Sequence, residues 1–316
     1  MSEWKLAAGS WVVGPNRDRF VDYTEDRSLQ EKCELLSQIE GAKGIELLDP
    51  YDDFTVEDVE NITSQTGIEV MAVMPAKING REYKYGSLSS QQQSLRKKAI
   101  KEVKKTAELA RELNCDLVNI WPGQDGNDYL FQVDYEAIWD NFKSSVGEIA
   151  ESYPDLRFAI EYKPREPRVN CLLRDATKTV LLCEEIGLDN VGLTLDFGHS
   201  LIAGENPTEA AAIATRYNRL FHIHLNDNQG LWDDDLMVGT NHFWKTVEFL
   251  LYLRSIGYRD WLSLDLAPFR EDSFAATSFS FSMIKKLEAF IEKIDVDKLG
   301  NSDSVKSYRE LMGKLI

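Results

Sequence analysis

No apolar run in this chain approaches the roughly 18 uninterrupted residues that a membrane-spanning helix needs, and the opening MSEWKLAAGS has no charged-then-apolar leader. Cysteine is scarce: Cys33, Cys115, Cys171 and Cys183 show no C-x-x-C spacing, and each lies in or beside an apolar segment. That distribution argues against a disulfide framework and for reduced, buried thiols. Basic residues are in the minority, with 36 Lys and Arg against 53 Asp and Glu and a net charge of −17. Such a balance repels a phosphodiester backbone or an anionic bilayer, so neither nucleic acid nor membrane is an expected partner. Linkers rich in Pro, Gly or Ser and low-complexity tracts are absent as well. The expectation is a soluble cytoplasmic protein, with residues 1–294 forming one catalytic domain and 295–316 a polar helical tail. The tail is expected either to pack as an extra helix or to reach a neighbouring subunit.

What the chain does contain is enough apolar material for a full core: 43% of its 316 residues are hydrophobic and 10% aromatic. Apolar runs alternate with amphipathic ones. Strands are expected at 5–13, 44–48, 68–74, 116–121, 156–162, 191–196, 220–225 and 260–266. Helices are expected at 28–41, 55–67, 91–113, 133–153, 175–187, 207–217, 242–257 and 278–294, with an irregular stretch over 75–90. Thr55 reads as an N-cap, and Gly41 and Gly67 as helix stops. Strict strand-then-helix alternation at this length predicts an α/β fold, the closed (β/α)8 TIM barrel, with an open doubly wound sheet as the main competitor.

Four of the predicted strands break into a metal-binding side chain: RFAIEYKPREPR (157–168), GLTLDFGHS (192–200), LFHIHLNDNQGLWDDDL (220–236) and WLSLDLAP (261–268). Side chains two apart in a strand share a face, so Glu161, Asp196, His224 and Asp265 are delivered at consecutive strand ends. In a barrel these ends share one rim, and neighbouring strands about 5 Å apart let the groups meet. Three carboxylates and an imidazole suit Mn²⁺, Mg²⁺ or Co²⁺ better than a thiolate-bound structural zinc, although Zn²⁺ fits too. Asp196 shared with His199, Asp233 and Asp235 would make a second site alongside the first. Any one such carboxylate is more often a solvated loop residue or a helix cap, and the Asp233 to Asp235 triplet alone reads equally as an acidic turn. Joint occurrence at successive strand ends carries the reading. His222 shares a face with His224 and reads as a core or supporting histidine, whereas His242 reads as an ordinary residue near a helix start. Lys163, two residues after Glu161, reaches the space before the metal and either polarises a carbonyl or pairs with Glu166 or Asp196. Trp11 and Trp121 are candidate aromatic walls for a sugar ring, or core residues.

These segments resemble the metal-binding strands of the xylose isomerase superfamily. AGSWVVGPNRDRF (8–20) is similar to the opening strand of xylose isomerases, and KYGSLSSQQQSLRKKAIK (84–101) to the loop and helix after their third strand. The resemblance covers residues 5 to 270. It implies aldose–ketose isomerisation of an open-chain monosaccharide by metal-assisted hydride shift, with two divalent cations per subunit. Glu161, Asp196, His224 and Asp265 would hold the first cation, and Asp196, His199, Asp233 and Asp235 the second. Lys163, Asp233 and His199 would be the catalytic groups, and Trp11, Trp121, Lys163 and Glu161 the substrate contacts. A homo-oligomer, dimer or tetramer, is implied as well.

Within the superfamily, the Glu, Asp, His, Asp set is closest to the bacterial L-rhamnose isomerase branch, because xylose isomerases carry Glu and Asp where this chain has Asp196 and His224. Two further departures bear on substrate. Leu48 stands where xylose isomerases end their second strand in a ring-opening histidine, and Ala267 where a lysine follows the last metal aspartate. A carboxylate-rich site favours a neutral sugar, although Arg17, Arg19, Lys77, Arg81, Arg165 and Arg168 are candidates for an anion pocket. The alternatives are C3 epimerisation by proton transfer and, further off, metal-dependent hydrolysis of a phosphodiester or a non-catalytic barrel. Asp265, shorter by a methylene than glutamate, disfavours the first as a base.

Overall fold

In a computed structural model, which describes residues 4–17 and 20–294 together with 309 and 313, eight parallel strands close into a barrel. They are β1 (Lys5–Gly9), β2 (Ala42–Asp49), β3 (Glu69–Pro75), β4 (Leu117–Ile120), β5 (Arg157–Glu161), β6 (Val191–Asp196), β7 (Leu220–Leu225) and β8 (Trp261–Leu264). Each pairs with its sequence neighbours, and β8 returns to β1 in the register Lys5↔Trp261 to Ala8↔Leu264. The predicted α/β class and closed barrel are thus observed. Apart from 309 and 313, the helical tail expected over 295–316 lies outside the described residues, as does Arg19.

Local signals account for the helices. α1 (Leu29–Ser37) and α2 (Val56–Thr66) open on reciprocal capping boxes, Ser28 with Glu31 and Thr55 with Asp58, and α2 ends on Gly67 at φ 70°. α3 (Gln93–Glu112), α4 (Tyr135–Ser152) and α5 (Ala176–Ile186) follow β3, β4 and β5. After β6 the chain forms a short helix, α6 (Phe197–Ile202), before α7 (Pro207–Arg216); α8 (Phe243–Ser255) and α9 (Ser273–Ile291) follow β7 and β8.

Several boundaries differ from expectation; α1 stops at Ser37 with Gln38 as its C-cap, short of Gly41. The first strand stops at Gly9 rather than 13, because Val12 N–H turns back to the Gly9 carbonyl at 3.0 Å; buried Val12 and Val13 belong to that turn. The last barrel helix starts at Ser273, not 278, because Asp272 caps it by accepting from Ala275 N–H at 2.8 Å. α6 lies where no element is expected, between the strand at 191–196 and the helix at 207–217. Two-residue and three-residue strands, Gly126–Asn127, Arg165–Glu166 and Val169–Cys171, form a small antiparallel sheet over the rim that no periodicity announced. Among the described residues, no helix is long and apolar enough to cross a membrane.

Inside the barrel the strands are polar where the site is built. Glu46, Asn119, Thr194, His222 and His224 are buried, alternating with buried Ile45, Leu47, Val118, Ile120, Leu193, Leu195, Ile223 and Leu225. That alternation places one apolar set against the helices and one polar set at the barrel's centre.

Candidate metal centre

β5, β6, β7 and β8 end side by side, and the pairing His224↔Asp196 aligns two of their last side chains. Potential ligand atoms of Glu161, Asp196, His224 and Asp265 lie within 4.8 Å of one another. His224 Nδ1 faces Glu161 Oε1 and Asp265 Oδ2, each at 3.5 Å, and Asp196 Oδ2 at 3.9 Å. It is buried and has no hydrogen-bond partner. An unpartnered imidazole nitrogen aimed at three carboxylates is the donor set a hard or borderline divalent cation takes, so these residues fit one.

The ligand atoms of a second group, Asp196, His199 and Asp233, also lie within 4.8 Å of one another, and the two groups share Asp196. α6 makes this possible. Asp196 is both the last residue of β6 and the N-cap of α6, accepting from His199 N–H at 2.7 Å, and the first turn swings the imidazole back over the strand end. His199 Nε2 then lies 3.2 Å from Asp233 Oδ2, while its unpartnered Nδ1 lies 3.4 Å from Glu161 Oε1. Gly198 lets the helix start approach the next strand: a Cβ there would sit 2.5 Å from Asn226 Oδ1, which accepts from Gly198 N–H at 2.8 Å. Asp235 stands just outside this ligand group, at φ 47°, and is joined to Asp196 through the Asn226 amide. Asp234 turns away, accepting from Gln229 N–H.

The electrostatics are those of crowded acids around buried bases. Burial pushes the Asp196 carboxyl up to about 7, opposed by His199 and reinforced by Asp265, Asp233 and Glu161. Burial would lower His199, but Asp196 and Asp233 outweigh it and carry the imidazole up to about 10. Asp235 is raised well above the carboxylate range by burial and by Asp233 and Asp265. Asp233 moves the other way: burial would raise it, yet His199 and Lys163 hold it below its ordinary value. Protons compensate this charge, and bound cations would displace them.

Lys163 is buried. Its ammonium pairs with Asp233 at 2.6 Å and with Glu166, and stands 5.4 Å from the centre of the Trp121 ring. Burial would lower its pKa, but Asp233, Glu166 and Asp235 keep it well above the ordinary value, and the group stays charged. Trp11 comes from the turn after β1, not from the strand itself, and donates Nε1–H to Asp265 Oδ1 at 2.5 Å. Each tryptophan folds over a glycine: a Cβ on Gly9 would lie 2.3 Å from the Trp11 ring, and one on Gly123 2.7 Å from the Trp121 ring. A cavity of about 580 Å³ opens between Lys163, Arg165, Asp233, Asp235 and Trp232, and one of about 950 Å³ between Asp233, Asp235, Trp232, Ala267 and Phe269. On the other side of Trp11, a third of about 650 Å³ reaches Lys32, Leu48 and Asp52. Among the described residues, four members of the suggested anion pocket are engaged or spread apart. Lys77 pairs with Glu102 and Arg168 with Asp128, each at 3.0 Å, while Arg17 and Arg165 line separate cavities.

Several participants went unread in the sequence. Glu46, inside β2, accepts from His224 Nε2 at 2.9 Å, His222 Nε2 at 3.2 Å and Asn119 Nδ2 at 2.9 Å. Asn119 also donates to Glu161 Oε2 at 3.1 Å and accepts from Thr194 Oγ at 2.7 Å. The one available signal was a glutamate inside the apolar run GIELL. Asn226, two residues beyond His224 on the same face, had the same strand signal as the ligands. His242, expected near a helix start, stands at the N-cap position of α8 without a side-chain capping bond, its Nδ1 2.8 Å from buried Asp227.

The profile of the family described as xylose isomerase-like TIM barrel matches residues 33–286. A curated relative, the xylose isomerase of Thermus thermophilus, is 27% identical across 94% of this chain and 83% of its own length. Among solved structures, a D-tagatose 3-epimerase-like protein superposes with a TM-score of 0.71 at 20% identity, covering 90% of this chain and 98% of its own. An L-ribulose 3-epimerase gives 0.71 at 18% identity, covering 95% and 100%.

Proposed function

This chain belongs to the xylose isomerase-like TIM barrel family, and from that membership we propose that it is a metal-dependent aldose–ketose isomerase acting on a neutral, open-chain monosaccharide. The observation that carries this reading is the pair of adjoining donor groups that share Asp196. Glu161, Asp196, His224 and Asp265 would hold one cation, and Asp196, His199 and Asp233, with Asp235 beside them, the other. Divalent cations such as Mn²⁺, Mg²⁺ or Co²⁺ would supply Lewis acidity toward vicinal sugar oxygens and so favour a hydride shift between C1 and C2.

The chain's own groups do the remaining work. Lys163, held charged by Asp233 and Glu166, sets a positive donor against oxygen charge that develops at the carbonyl end. Glu161 reaches the sugar as well as the cation, and Trp11 and Trp121 supply apolar walls that exclude water and match a sugar's C–H face. His199 Nε2 and Asp233 Oδ2, 3.2 Å apart, would relay a proton when the second cation is absent. Leu48 leaves the second strand without a ring-opening group, so the open-chain form is the species bound. The ligand order Glu, Asp, His, Asp supports a reading close to the L-rhamnose isomerase branch of the family. A homo-oligomer in the cytoplasm, built on a barrel of residues 1–294 with an appended tail, completes the reading.

C3 epimerisation is the second reading, favoured by the similarity to the D-tagatose 3-epimerase-like protein and the L-ribulose 3-epimerase. Asp265 weighs against it, since Trp11 already occupies Oδ1 and the side chain is short for a base at C3. Incubating the Mn²⁺-loaded protein with a panel of aldoses and ketoses in deuterated water decides between them. Aldose–ketose interconversion with little deuterium at C1 or C2 is expected. Deuterium at C3 would transfer the assignment to epimerisation, and no turnover of any sugar would overturn both.

A further inference from the structure

We propose that Glu46 is a positioning residue that fixes which nitrogen of His224 carries the proton, and thereby presents Nδ1 as a free lone pair to the carboxylate cluster. The proposal rests on the reading of Glu161, Asp196, His224 and Asp265 as cation ligands. It concerns a residue that contacts none of the space where a substrate would lie.

The argument is one of donor and acceptor balance. Glu46 is fully buried, and each of its polar partners is placed to donate: Asn119 Nδ2 to Oε1, and the Nε2 atoms of His222 and His224 to Oε2. A carboxylate accepts all three, because it has acceptor sites only. With Nε2–H of His224 engaged at 2.9 Å, the neutral ring has its lone pair on Nδ1, the atom that faces Glu161, Asp196 and Asp265 and has no hydrogen-bond partner. Asn119 extends the same control to a second ligand. Its amide nitrogen bridges Glu46 Oε1 and Glu161 Oε2, and its amide oxygen is held in that orientation by the Thr194 hydroxyl. One buried carboxylate on β2 therefore orients ligands on β7 and, through β4, on β5.

Glutamine cannot replace it. If the amide oxygen faces the histidines, the amide NH₂ meets the NH₂ of Asn119; if the NH₂ faces the histidines, Nε2 of His224 must become an acceptor and the proton moves to Nδ1. Asn119 cannot flip to relieve the first conflict without turning its amide oxygen on Glu161 Oε2 and losing that bond, although the Thr194 hydroxyl can change from donor to acceptor. An isosteric change that preserves packing thus disturbs the ligand set in either orientation.

The test uses full-length protein, stripped by chelator and titrated with Mn²⁺ against a competing fluorescent indicator. Glu46→Gln is expected to bind Mn²⁺ roughly 10–100-fold more weakly than wild type, the range for groups supporting a metal-ligating histidine. His222→Asn, which leaves the Glu46 to His224 contact in place, is expected to lose clearly less. Wild-type affinity in Glu46→Gln, or an equal loss in His222→Asn, would overturn the proposal. A second measurement needs no variant: in Mg²⁺-loaded, ¹⁵N-histidine-labelled wild type, His224 is expected to retain a proton on Nε2 and none on Nδ1. A proton on Nδ1 would overturn the proposal even if Glu46→Gln failed to fold. Wild type that binds no divalent cation would overturn it together with the cation site. Protein that binds cations with the expected Nε2 proton, yet turns over no sugar, would remove the isomerase reading and leave this one standing.

Discussion

The indole nitrogen of Trp11 donates to Asp265 Oδ1 at 2.5 Å, across the seam where the first strand of the barrel meets the last. The bond leaves Oδ2 of Asp265 turned toward His224 Nδ1, so an apparent aromatic wall also orients a candidate ligand. Trp11→Phe keeps the wall and removes the donor. A hydrogen bond to a charged group is worth about 1.5–3 kcal/mol, so cation affinity should fall by roughly 10–100-fold, read by Mn²⁺ titration. Unchanged affinity would reduce Trp11 to packing alone.

Gly9 gives that ring its place. Gly9→Ala would drive a Cβ to within 2.3 Å of the indole, and nearby backbone hydrogen bonds of the turn leave little room to adjust. We expect about 1–3 kcal/mol of destabilisation in chemical denaturation, with Mn²⁺ binding weakened as in Trp11→Phe. A stable variant that keeps full affinity would contradict the assigned geometry.

Acid crowding gives the metal-free protein a definite pH response. Asp196 has its folded pKa raised to about 7 from an ordinary 3.8, so its contribution is fully present below about pH 4 and is lost as pH rises through 7. His199, raised from 6.5 to about 10, contributes below about 6.5 and loses that contribution toward 10. Both slopes have the same sign between pH 5 and 8, where chelator-treated protein should melt at progressively lower temperature. Asp196→Asn should flatten the trend and raise the melting temperature of the metal-free form near pH 8. Cation affinity should run the opposite way, weakening from pH 8 to 5 as protons reoccupy the site. A metal-free melting temperature that rises across this range would refute the assignment.

Lys163→Met removes the ammonium while keeping the stem against Trp121. Turnover should drop by about 10²–10³, the usual cost of deleting one donor to a developing oxyanion, with cation content preserved. If metal content and turnover fall together, Lys163 acts through the folding of the Asp233 loop and not on substrate.

All four cysteines are buried and free, and burial pushes each thiol up to about 12. A disulfide-exchange reagent at pH 8 should therefore label none in the native protein and all after denaturation. Rapid labelling of any native thiol would show that its segment opens.

The α/β barrel was legible because strand and helix periods alternate along the chain without interruption, and that topology alone sends successive strand ends to one rim. The same logic exposed Glu161, Asp196, His224 and Asp265. It failed where a residue's role depends on what lies across the barrel. Glu46 reads locally as a charge interrupting an apolar run. Asn119 in DLVNIW and Thr194 in VGLTLD read as nothing in particular. α6 was missed because six residues are too few to display a helical period, and its start is set by the Asp196 side chain.

The chain by itself determined which strand ends carry carboxylates and imidazoles, since pleat and alternation are local properties of consecutive residues. Only closure of the barrel decided how those groups are held. The bonds from Asn119 to Glu46, from His224 to Glu46 and from Trp11 to Asp265 span 73, 178 and 254 residues. Contacts at such separations have no periodicity to betray them. They exist because eight parallel strands place distant residues around a common axis, in a dry interior where buried donors and acceptors must find partners or stay costly.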